Sequence, residues 1–223
     1  MFWEKLRGDG KDPGYPKLPL DLRPGAIISV DPAQALLFDG ADLTVPLPVG
    51  DLVAGAVSAS NVFGLVIVRA YARSGEDAYL VQFNCGADLT VNDATLFHLA
   101  QEIYPQSEGD WETWLGERGL IGGPDLNAPN GKTYGRDWGD GAQAEPVALT
   151  ETIYADPKAP PRVVEHKMML YSREAGEVRE YCLLTADAAL GGAPESAPES
   201  APESALIRAW IGVDIPLPSL NVY

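Results

Sequence analysis

The stretch Asn92-Asp93-Ala94-Thr95-Leu96-Phe97-His98-Leu99-Ala100-Gln101-Glu102-Ile103-Tyr104-Pro105 carries the choice of fold class. Leu96, Leu99, Ala100 and Ile103 recur at helical spacing and would share one face of a helix. Asn92 and Asp93 offer capping side chains at its start, and Pro105 stops it. The spacing therefore predicts a helix over 94–104, with His98 beside Leu96 and Leu99. A second start signal at Ser107 to Gly109 precedes Trp111, Trp114 and Leu115. Their i, i+3, i+4 spacing predicts a short helix ending near Gly116.

On both sides of this centre the pattern turns to strands. Runs at 26–30, 35–38, 43–49, 61–72 and 78–83 are apolar and β-branched, with Asp39-Gly40 and Ser74-Gly75-Glu76-Asp77 as turns. Further on, 147–154 alternates, 162–173 and 177–185 read as a long hairpin around Glu174-Ala175-Gly176, and 206–215 is a last strand. The expected fold is α+β and β-rich. Two antiparallel β units, 24–91 and 145–220, are joined by a short-helical, Trp/Gly-rich central segment over 92–141. Residues 1–23 read as an N-terminal tail and linker and 24–223 as a single globular domain. Within 191–204, Ala-Pro-Glu-Ser occurs three times; that composition buries too little apolar surface to order and reads as a disordered loop.

Charge narrows the partners. The net charge is −16, and no Lys or Arg occurs between Arg23 and Arg69 or between Arg73 and Arg118. Such a surface repels a phosphate backbone, so nucleic acid is not an expected partner. A protein partner that is basic or membrane-associated fits it. No apolar run reaches transmembrane length, and the start, Met1-Phe2-Trp3-Glu4-Lys5-Leu6-Arg7, has no apolar core of a signal peptide. A cytoplasmic location is expected, with Phe2, Trp3 and Leu6 as a short apolar side able to touch the inner membrane face. Cys85 and Cys182 sit in apolar runs and are expected as buried free thiols.

Chemistry-bearing motifs are sparse. Gly-x-Ser-x-Gly, the phosphate-cradling Gly-rich loop with Lys, and the dinucleotide fingerprint are all missing, so no cofactor is expected. Asp137-Trp138-Gly139-Asp140-Gly141 resembles a calcium loop without its remaining ligands, and neither His98 nor His166 has a partner at metal-ligand spacing. No metal and no catalytic residue is assigned. Trp111, Trp114, Tyr134, Arg136, Trp138 and His166 form the candidate ligand pocket, since aromatic density with a few polar groups is the chemistry of small-molecule clefts. For the three Trp the competing reading is a packed structural hub between the β units.

Several motifs together resemble a known family. They are Leu18-Pro19-Leu20 to Arg23-Pro24-Gly25, Trp111-x-x-Trp114-Leu115 to Gly119-Leu120-Ile121-Gly122, Gly131-Lys132-Thr133-Tyr134-x-Arg136-x-Trp138, Glu151-x-Ile153-Tyr154-x-Asp156, His166-x-Met168-Met169-Leu170-Tyr171-x-Arg173 and Glu180-Tyr181-x-Leu183. Over roughly 18–220 the chain resembles the YjfK-like family of bacterial domains of unknown function. The resemblance implies an accessory role in membrane homeostasis and supplies no catalytic residues. The expected function is a non-enzymatic cytoplasmic interaction or accessory protein. The alternative is a small-molecule binder or enzyme with a cleft at the Trp/Gly-rich block.

Overall fold

The computed structural model describes residues 14–33, 38, 40–48, 50–62, 64–190 and 205–223. The apolar side at 2–7, most of the 35–38 run and the Ala-Pro-Glu-Ser repeat lie outside them. Among the described residues, twelve strands form one antiparallel sheet. Eight of these close on themselves: β2 (Leu52–Val62), β3 (Leu65–Ser74), β4 (Asp77–Cys85), β5 (Val91–Ile103), β8 (Val147–Tyr154), β9 (Arg162–Ala175), β10 (Val178–Leu190) and β11 (Leu206–Asp214). Their order around the barrel is β2-β3-β4-β5-β11-β10-β9-β8, and β8 returns to β2 through Val57↔Tyr154 and Ser58↔Ile153. Two ribbons extend the sheet. One is β1 (Ile27–Val30) and β12 (Leu220–Val222) on the start of β2; the other is β6 (Asp125–Asn127) and β7 (Thr133–Arg136) on the end of β9. The β3–β4 and β9–β10 hairpins turn on Gly75 (φ 60°) and Gly176 (φ 72°), where a left-handed backbone matches the twist of the strands.

This barrel replaces the expected α+β arrangement of two β units around a helical centre. The stretch 92–105 is strand β5, lying between β4 and β11. Its period misleads because Ala94 to Phe97 are covered on both faces and the register with β11 then slips at Ala100. Ala94 and Leu96 point one way, Thr95 and Phe97 the other, and all four are buried. Where a strand is buried on both sides the alternation disappears, and a continuous apolar run fits a helix equally well. Asp93, read as a cap, instead accepts a hydrogen bond from Asn84 on the neighbouring strand at 2.5 Å. The one α helix among the described residues is α1 (Glu108–Leu115). Ser107 caps it, accepting from the Asp110 amide at 3.1 Å while Asp110 accepts from the Ser107 amide at 2.9 Å.

Register and contacts fix which face looks inward. The Tyr71 ring on β3 lies 6.5 Å from that of Trp210 on β11, three strands away. Arg69 on β3 reaches Sδ of Met168 on β9, three strands away in the other direction, at 3.3 Å. Only the concave side allows both contacts. Leu80, Phe97, Leu149, Met168, Leu183 and Trp210 form the apolar part of that interior. The outward face is equally buried. Val66, Val68, Ala70, Val81, Phe83, Leu96, Ile211 and Val213 pack in one continuous core that also holds Leu18, Leu22, Ile28, Ile121 and Tyr134 from the surrounding segments. Cys85 and Cys182 belong to it as buried free thiols. Burial pushes them up to about 11 and about 12, away from the thiolate form.

Candidate functional site

Four of the barrel strands place a charged residue at a buried, inward position. These are Arg69 on β3, Glu151 on β8, His166 on β9 and Asp187 on β10, each 0 to 4% exposed. An isolated buried charge costs several kcal/mol, so each must find a partner. They do so as one chain. Glu151 accepts from Ser58 on β2, from Arg69 Nη1 at 3.1 Å and from the Tyr71 hydroxyl at 2.8 Å. His166 Nε2 lies 2.7 Å from Oε2 of Glu151, and Nδ1 lies 2.6 Å from Oδ1 of Asp187. Arg208 on β11 then joins Asp187 at 2.5 Å to Glu102 at 2.8 Å. Ser58, Arg69 and Tyr71 stand on one side of the β2–β8 junction and Glu151 on the other, so the chain of charges spans the place where the barrel closes.

The electrostatics follow from these distances. Burial opposes ionisation of Glu151, but Arg69 and the His166 ring outweigh it and hold the carboxyl at about 2. Burial likewise opposes the charge on Asp187, which His166 and Arg208 keep below the usual carboxylate range. The His166 ring is desolvated too, yet the two carboxylates flanking it raise its pKa. The ring sits between the two carboxylates as a bridging cation, with Nδ1 hydrogen-bonded to Asp187 and Nε2 facing Glu151 at ion-pair distance without hydrogen-bond geometry.

These shifts give a pH profile. The His166 contribution is complete below the ordinary imidazole value of 6.5 and is lost as pH rises through the raised one. The Glu151 and Asp187 contributions are complete above their ordinary 4.5 and 3.8 and are lost as pH falls through the lowered ones. The melting temperature should be highest between about pH 5 and 6.5 and fall on both sides. In His166→Asn the alkaline fall should flatten; its persistence at full slope would assign that limb to another group.

A second polar cluster lies outside the barrel wall. Glu180 on β10 accepts from the amides of Thr44 (2.5 Å) and Val45 (2.9 Å), from the Tyr134 hydroxyl (2.7 Å) and from Arg173 Nε (2.8 Å). Burial raises Tyr134 to about 12, with Glu180 adding to it. The cluster ties the segment at 42–45 and the β6–β7 ribbon onto β9 and β10.

At the end of the barrel away from the ionic chain the interior is open. A cavity of about 730 Å³ is lined there by inward residues of seven barrel strands, among them Ile67, Phe97, Met168, Leu170 and Leu183. Trp138 and Gly139 close part of its rim, and Gln82, Asn84, Asn92, Asp93, Thr95, Asp137 and Tyr181 are its polar groups. The ionic chain touches the cavity through Arg69, which donates to both Met168 Sδ and Gln82 Oε1.

The six candidate pocket residues fall in different places. Trp138 stands at the cavity mouth. Trp111 and His166 both border a shallower groove of about 450 Å³, with Leu115 and Asp187. Trp114 is half-buried against the outer core, and its carbonyl accepts from the Ile121 amide at 2.9 Å. Tyr134 belongs to the Glu180 cluster. Arg136 braces loops, donating to the carbonyls of Gly122 and Gly141. His98 is on β5, 3.3 Å from Asp77. Glu151, Asp187, Arg69 and Glu180 are not among the candidate pocket residues, although Glu151 and Glu180 open two of the family-like motifs. Arg69 and Asp187 carry a local signal, each a charge between apolar neighbours, whereas Glu151 lies between two threonines and Glu180 beside Arg179.

Among the described residues no group of three His, Cys, Asp or Glu is placed to hold a metal ion, and no helix is long and apolar enough to cross a membrane. An eight-stranded antiparallel barrel with an ionic chain at one end of its interior and a cavity at the other is the class of protein the coordinates define. The chain belongs to the family described as protein of unknown function, DUF2491, which matches residues 1–220. No curated protein and no solved structure matches it.

Proposed function

We propose that this is a non-enzymatic protein that binds a small, largely apolar molecule in the open end of its barrel. The cavity carries the reading: about 730 Å³, walled mainly by apolar side chains with a few polar groups at the rim. That is the size and chemistry of small-molecule sites in barrel mouths. The raised thiols of Cys85 and Cys182 argue against a reaction at either. The YjfK-like resemblance, with its implied accessory role in membrane homeostasis, agrees with a cytoplasmic protein that takes an apolar molecule at the inner membrane face. The acidic surface suits a basic, membrane-associated protein as the receiving partner.

The test uses N-phenyl-1-naphthylamine, an uncharged probe that fluoresces in apolar surroundings. The protein should bind it saturably at one site. Ile67→Trp places an indole on the half-buried cavity wall and should abolish that binding while leaving the melting temperature within a few degrees. No saturable binding by the parent protein, or equal binding by the variant, would discard the proposal.

A further inference from the structure

We infer that the barrel mouth is selective for a single-chain amphiphile with a positively charged head, such as an alkylammonium, and rejects carboxylate and phosphate amphiphiles. This rests on the cavity being a binding site and adds the chemical class of what it binds. The interior and the rim differ in kind. Inside, Ile67, Phe97, Met168, Leu170 and Leu183 present hydrocarbon and thioether surface. At the rim the ionisable carboxylates among the lining residues are Asp93 and Asp137, and among the described residues no Lys, Arg or His lines the cavity.

Neither rim carboxylate is neutralised by a hydrogen-bonded cation. Asp93 accepts from the Asn84 amide at 2.5 Å and Asp137 from the Ser172 hydroxyl at 2.8 Å, both uncharged donors. A third carboxylate, Asp214, sits behind them, held by the hydroxyls of Thr95 and Tyr181 at 2.8 and 2.9 Å. Arg179, the base whose charge is felt at Asp137, is itself bound to Glu174 at 3.1 Å. The cation at the base of the cavity offers an anion nothing either. Arg69 spends Nε on Gln82, Nη1 on Glu151 and Nη2 on Met168, and it is 2% exposed. An acyl tail entering first would therefore meet a wall of its own polarity, and its head would stop among carboxylates. A chain of net charge −16 deepens that preference at long range.

Three probes with the same tail separate the possibilities: dodecyltrimethylammonium, dodecanol and dodecanoate. Each is titrated below its micelle concentration, at pH 7 and low salt, against bound N-phenyl-1-naphthylamine. The ammonium should displace the probe at a concentration at least about tenfold lower than dodecanoate does, with dodecanol between them, and the gap should narrow as salt rises. In the double variant Asp93→Asn, Asp137→Asn the ammonium should lose most of this advantage while dodecanol is unaffected, which also shows that the cavity is intact. If dodecanoate competes as well as the ammonium, or if the double variant keeps the full preference, the head-group assignment is wrong and the cavity reading stands. If none of the three displaces a probe that itself binds, the assignment is likewise overturned. If the probe does not bind the parent protein at all, both readings fall together.

Discussion

Glu151→Ala should cost about 3–5 kcal/mol, seen as a large fall in the urea midpoint at unchanged slope. The carboxylate is fully buried and answers Ser58, Arg69, Tyr71 and His166 at once. Truncation leaves Arg69 and His166 as neighbouring cations in the barrel interior with one fewer counter-charge. A domain of this kind has about 5–15 kcal/mol in total, so the variant would be marginal. His166 should respond by giving up its proton more easily, moving the alkaline fall in stability to lower pH. The comparison is Glu174→Ala, which removes an ion pair with Arg179 whose side chains are 67% and 52% exposed. An exposed pair is worth about 0–1 kcal/mol. If both variants behave alike, the buried chain is not what holds the barrel closed.

Glu180→Ala should also be severe, but its damage should be local. Four donors named above converge on this one side chain, and two of them are backbone amides of the segment at 42–45. Without the carboxylate these amides lose their partner, and Tyr134 loses the acceptor for its hydroxyl. Leaving buried donors unsatisfied costs about 1–3 kcal/mol each, more where a charge is involved. Hydrogen exchange gives the reading: the Thr44 and Val45 amides should lose protection by orders of magnitude while those of β4 and β5 change little. Uniform loss across the barrel would mean that Glu180 supports the whole fold rather than its outer layer.

Part of the strand content is legible in the sequence, because the runs at 78–83, 147–154, 162–173 and 206–215 are bounded by turns and match strands; the run at 61–72 instead crosses the turn between β2 and β3, residues 43–48 are not a strand, and β2 from Leu52 to Asn61 goes unread. The Ser107 start and the Trp111/Trp114/Leu115 stripe likewise point to α1. What misleads is β5, where burial of 94–97 on both faces and the register slip at Ala100 break the alternation and leave apolar spacing that a helix satisfies. Reading it as a helix also hides the closure, because β5 pairs with β11 across more than a hundred residues of sequence. Local patterns carry no record of such a pairing. The site is legible only in fragments. Trp138 is found at the cavity mouth, but the cavity itself is made from one inward residue here and another there on seven strands, none of them unusual alone. His166 is one of two histidines but lies between Glu165 and Lys167, as on a solvated strand. Its neighbour Glu151, between two threonines, looks like an ordinary surface acid until the register turns it inward.

The position of β11 has a consequence for how the protein is made. It lies between β5 and β10, yet it is synthesised after both. At about 5–20 residues per second on the ribosome, β5 waits several seconds for the strand that will cover its free edge. During that time β5 and β10 each present a long row of unpaired amides and carbonyls flanked by apolar side chains, a template for pairing with another nascent chain. A holding chaperone supplied during synthesis should therefore raise the yield of correctly assembled protein, and the demand for such help should end once residue 214 has emerged.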